Sequence, residues 1–91
     1  MDSILQYDKV CYVTGERKHL EKHHIFGGNP NRKISEKEGF WVWLTKEYHT
    51  GDRGVHQDRE LDLRLKQTAQ LAYEETHSRE EFRALMGKSW L

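Results

Sequence analysis

GFWVWLTKEYHTGDRGVH, Gly39–His56, is the stretch that decides the fold. Phe40, Trp41, Val42, Trp43 and Leu44 are aromatic, β-branched or aliphatic, and a glycine bounds them. This composition predicts a β-strand over Gly39–Leu44. Thr45 then reads as the N-cap of a short helix carrying Lys46, Glu47, Tyr48 and His49. Gly51 and Gly54 end that helix and allow the chain to turn back. His49 and His56 flank the turn. On an unbroken helix they would lie two turns apart, too distant to share one ion. A turn at the two glycines can bring both imidazoles to a common point.

Upstream, Lys9–Val13 is rich in Val and Tyr and ends at Thr14-Gly15, which predicts a short strand running into a turn. Glu21–Phe26 predicts another strand, closed by Gly27-Gly28, and Asn29–Gly39 reads as a polar loop. Met1–Tyr7 is a short lead-in with some helical character. Downstream, Leu61, Leu65, Thr68 or Ala69 and Ala72 recur at helical spacing, with Leu71 widening the stripe. They predict a long helix over Gln57–Thr76. Ser78 followed by Glu81 matches a capping box and starts a second helix with Phe82, Leu85 and Met86 as its apolar face. Gly87 is its C-cap, and Trp90 and Leu91 fold back as a hydrophobic plug. The expected class is α+β, a small sheet with helices covering one face.

With 91 residues the chain forms a single domain with one modest core. Hydrophobic residues make up 35% and charged residues 33%, yet three Trp, four Tyr and three Phe can seed that core. Lys+Arg and Asp+Glu both number 15, so overall charge does not argue for a polyanionic partner. Locally, Arg17, Lys18, Lys22, Arg32 and Lys33 face a single acid, Glu21, between positions 17 and 33. One cysteine, Cys11, excludes an intrachain disulfide and any zinc site needing two or more cysteines. The sequence has no apolar run of membrane-spanning length and no signal-peptide pattern, so a cytoplasmic location is expected.

Six histidines are the unusual feature. His23 and His24 are adjacent within the strand-like segment LEKHHIFGG, and neighbouring residues on a strand point to opposite faces. One of the pair can bind a metal while the other faces a substrate. Neutral imidazole binds divalent ions and moves protons near neutral pH. Three histidine ligands with open positions make a catalytic rather than a purely structural site. His19 and His77 read as polar surface.

Taken together, KHHIFGG, the NR of Asn31-Arg32, SEKEGFWVWL and YHTGDRGVH resemble the HNH, or ββα-metal, nucleases. More closely, they are similar to small phage proteins grouped with RecA-dependent nucleases, and the stretch from Glu60 to Leu91 resembles the tail of that group. The resemblance implies a core over about 9–56 with C-terminal helices over about 57–91. It implies that His23 is a metal ligand and that His24 is the general base acting on water. It matches His49 and His56 to the remaining metal ligands, for one divalent ion such as Mg²⁺, Mn²⁺, Ni²⁺ or Zn²⁺. The family's asparagine, which holds the loop orienting the base, falls here on Phe40. Asn31 is the substitute candidate, and Arg32, with Lys22 and Lys33, is the candidate contact to phosphate.

Many relatives also hold a structural zinc between two Cys-x-x-Cys pairs. This chain has Cys11-Tyr-Val-Thr14 and Thr45-Lys-Glu-Tyr48 at those positions. No structural zinc is expected, Tyr48 and Val13 are expected to pack where it would sit, and a chelator should leave the fold intact. The function implied is DNA phosphodiester hydrolysis in recombination or DNA processing by a phage or mobile element, with DNA and a recombination or host protein as partners. The alternative is a catalytically silent protein on the same scaffold that binds DNA or a host or phage protein.

Overall fold

A computed structural model describes all 91 residues. The elements run β1 (Leu20–His24), α1 (Asn31–Glu38), β2 (Trp41–Thr45), α2 (Lys46–His49), α3 (Arg59–Tyr73) and α4 (Arg79–Met86). β1 and β2 form a two-stranded antiparallel sheet, so the fold is α+β. In its register His23 lies opposite Val42, and His24 lies opposite Trp41. The period of two therefore gives one face to Glu21, His23, Val42 and Leu44, and the other to Lys22, His24, Trp41 and Trp43. No helix is long and apolar enough to cross a membrane.

The core gathers on the face of Val42 and Leu44. It adds Ile25 and Phe26 after β1, Phe40 before β2, Val55 in the turn before α3, Leu65 and Ala69 of α3, and Phe82 and Met86 of α4. Phe26 packs edge-on to Phe40, centroids 5.4 Å apart, and lies 4.8 Å from Trp90. Such ring pairs add to the gain from simple burial. The capping box at Ser78 is complete, with Glu81 N–H donating to Ser78 Oγ and Ser78 N–H donating to Glu81 Oε1. Trp90 is the plug, held by Gln70 Oε1 on its N–H and by Gln67 Nε2 on its carbonyl. Leu91 is exposed, as is Leu71, which does not widen the stripe of α3.

Three segments differ from expectation in kind. Asn29–Gly39 is not a loop, because α1 occupies most of it. Apart from Asn31 and Ser35, its residues are charged, straight-chain helix formers with one aliphatic residue, Ile34, so no apolar period announces it. Its tertiary anchor is Ser35, whose buried hydroxyl accepts from Phe26 N–H and donates to Phe26 C=O. Gly39 closes the helix in the left-handed conformation, at φ 77°.

Lys9–Val13 forms no strand. Its second half enters a tight turn closed by Gly15 N–H donating to Cys11 C=O, and a single main-chain bond, Tyr12 N–H to Trp43 C=O, joins it to β2. Cys11 is buried, and its sulfur accepts from Thr45 N–H at 3.4 Å. Thr45 is thus occupied with the thiol side of the turn and makes no side-chain cap on α2. Tyr48 packs against the core, whereas Val13 is exposed.

The lead-in is not helical. It runs beside β2, with Ser3 Oγ donating to Trp41 C=O and Trp43 N–H donating to Gln6 Oε1.

Candidate metal and base site

Three separate segments deliver the histidine cluster. β1 supplies His23 on the core face of the sheet. α2, which begins directly after β2, supplies His49 at its last residue. The turn through Gly51 and Gly54 supplies His56. A Cβ on Gly54 would meet the carbonyl oxygens of His49 and Gly51 at 2.6 and 2.7 Å, and one on Gly51 would meet Glu47 Cα at 2.8 Å. The absence of side chains there permits the close return. Val55 N–H then donates to Tyr48 C=O, and buried Val55 anchors the turn in the core.

The ring centroids of His23, His49 and His56 lie 5.2–5.5 Å apart in every pairing. Each ring offers one nitrogen, and these three atoms all lie within 4.8 Å of one another. His23 is buried, His49 half-buried and His56 exposed, so the cluster opens to solvent on the His56 side. His23 Nε2 is the one buried side-chain nitrogen or oxygen without a hydrogen-bond partner. An uncompensated polar atom at that depth is costly, and it is the kind of group a metal satisfies. Burial, reinforced by the neighbouring His49, His56, His24 and Lys66, pushes the His23 pKa down to about 3. The ring is therefore neutral at physiological pH, the state a ligand needs. The donor set fits a divalent ion.

Each of two further imidazole contacts involves a carboxylate. His49 Nδ1 lies 2.8 Å from Glu21 Oε1, and His24 Nε2 lies 2.8 Å from Glu36 Oε2. A carboxylate only accepts, so the shared hydrogen sits on the ring nitrogen in both cases. Hydrogen bonds from His24 and then Lys22 hold the Glu36 carboxyl below its ordinary range. His24 Nδ1 makes no hydrogen bond and, unlike His23 Nε2, is reached by solvent. The Ser35 anchor fixes α1 against the end of β1, which is what brings Glu36 to His24.

Of the residues singled out in the sequence, the fold brings His23, His49 and His56 together and turns His24 to the other sheet face. Asn31 is the first residue of α1, and the partner of His24 is Glu36, five positions later. Lys22 is committed internally, bonded to Glu36 and lying 4.0 Å over the Trp41 ring. Arg32 and Lys33 are exposed, in the first turn of α1. His19 and His77 are exposed, His77 stacked on Tyr73 at 4.0 Å.

Sequence reading missed Glu21 and Glu36. Strand alternation puts Glu21 on the face of His23 and could have found it, whereas Glu36 was hidden once α1 read as a loop. Comparison with protein-family models, with curated proteins and with solved structures finds no match to this chain.

Proposed function

We propose that the protein is a metal-dependent endonuclease of the HNH, ββα-metal type that hydrolyses DNA phosphodiester bonds. The observation that carries this reading is the orphaned His23 Nε2 inside a three-histidine cluster, with a fourth imidazole, His24, adjacent in sequence and free at Nδ1. The antiparallel pair β1 and β2 followed directly by α2, with α1 inserted in the connection between the strands, agrees with it.

In this reading His23, His49 and His56 hold the ion. When bound, it supplies charge that polarises a phosphoryl oxygen and stabilises the departing oxyanion. Three imidazoles with no carboxylate among them favour Zn²⁺ or Ni²⁺ over Mg²⁺. His24 accepts a proton from water at Nδ1. Glu36 keeps the other hydrogen on Nε2 and holds the ring still, the orienting role that the family gives to asparagine. Exposed Arg32 and Lys33 are free to contact the phosphate backbone beside the scissile bond. The balanced net charge predicts weak unaided DNA binding, so a partner protein would deliver the enzyme to its substrate.

The test is nicking of supercoiled plasmid with Zn²⁺, Ni²⁺, Mn²⁺ or Mg²⁺ by the wild type and by His24→Ala. The wild type should nick. His24→Ala should bind metal normally and lose about 10²–10⁴-fold in rate. Equal cutting by both proteins would remove His24 from the mechanism. No cutting by either, with metal still bound, would favour the silent binding protein.

A further inference from the structure

We propose that Glu21 is a positioning residue that sets the metal affinity of the cluster by locking His49 in the tautomer presenting Nε2. This rests on reading His23, His49 and His56 as a ligand set.

Strand periodicity supplies the first argument. Glu21 and His23 are two apart on β1 and share a face, so the carboxylate points to the side where the cluster forms. His49 arrives there from the end of α2, and its Nδ1 sits 2.8 Å from Glu21 Oε1. With the hydrogen on Nδ1 committed to Glu21, Nε2 is the nitrogen left with a lone pair for the cluster. The second argument is what Glu21 lacks. It makes no ion pair with a lysine or arginine, and its one hydrogen-bond partner is His49. The other carboxylate at the site, Glu36, has Lys22 as well as an imidazole.

A carboxylate given to an imidazole alone matches an outer-shell ligand support. It orients the ring, raises the basicity of its free nitrogen and offsets part of the divalent charge.

Zn²⁺ titrated calorimetrically into the metal-free full-length chain provides the test, using the wild type, Glu21→Ala, Glu21→Gln and His49→Ala. Glu21→Ala should bind about 10–100-fold more weakly than the wild type. Glu21→Gln keeps an acceptor for Nδ1–H but loses the charge, and should fall between them. Metal-free melting temperatures of both Glu21 variants should stay close to the wild type, because a single ion pair that solvent still reaches on the Glu21 side adds little to the fold. Wild-type affinity in Glu21→Ala, alongside a large loss in His49→Ala, would overturn the role of Glu21 and leave the ligand set standing. Failure of the wild type to bind Zn²⁺ would overturn both. An affinity loss accompanied by an equal fall in metal-free stability in both Glu21 variants would reduce Glu21 to a structural residue.

Discussion

Around Phe82 the buried polar groups find partners, and around His23 one does not. Both regions draw on the same face of one small sheet. In the first, Gln70 is fully buried, yet its amide bonds Glu74, Ser89 and the Trp90 main chain. The rings of Phe26, Phe40, Phe82 and Trp90 close over one another. In the second, three imidazoles crowd together and His23 Nε2 has no partner. Local rules all agree where the chain only has to fold, and one is broken where, on our reading, it has to act.

The sharpest way to break this contrast is to damage each region and ask which property follows. Phe82→Ala removes a ring at the centre of the aromatic group and should cost about 3–5 kcal/mol in urea denaturation. Zn²⁺ affinity of the molecules that remain folded should not change. A parallel loss of affinity would mean that the two regions are one unit.

His23→Leu should act in the opposite sense. Replacing an unsatisfied buried nitrogen with an apolar group of similar size should stabilise the metal-free chain by up to about 3 kcal/mol, while Zn²⁺ no longer raises its melting temperature. The pH profile provides a second reading of the same variant. The folded chain holds His23 neutral down to about pH 3, whereas the unfolded ring protonates near its ordinary value of 6.5. The unfolded state therefore gains a proton first as pH falls. Metal-free wild type should lose about 2 kcal/mol between about pH 7 and about pH 5, with the loss levelling off once His23 itself protonates. His23→Leu should lack that component of the slope. An unchanged slope would show that another group carries it.

Ser78→Ala sharpens the contrast at its quiet end. It removes the side-chain half of the α4 capping box and should cost about 1 kcal/mol of stability, with Zn²⁺ affinity intact.

The sequence was most legible where chemistry and period coincide. Trp41–Leu44 reads as a strand, Ser78 to Glu81 as a helix start, and the glycines between His49 and His56 as a reversal, because each follows from local sterics. α1 was illegible because it is tied down by one buried serine rather than by an apolar stripe. The boundaries of β1 were also hard to read, since Ile25 still donates one main-chain bond to Phe40 C=O past the end of the strand and Phe26 turns its N–H to Ser35, while both stay buried. Strand alternation could place Glu21 on the face of His23, but its pairing with His49, like that of Glu36 with His24, needed three dimensions. Nothing in a lone glutamate announces that an imidazole from another element will arrive beside it.

The segment running beside β2 carries a practical consequence. Ser3, Gln6 and Tyr12 occupy main-chain groups of Trp41 and Trp43 that would otherwise be free to hydrogen-bond a foreign strand. A short tryptophan-rich ribbon left bare would be a template for fibrillar self-association. The first dozen residues therefore work as a guard on colloidal behaviour, and shortening them would uncover the main-chain groups of Trp41 and Trp43.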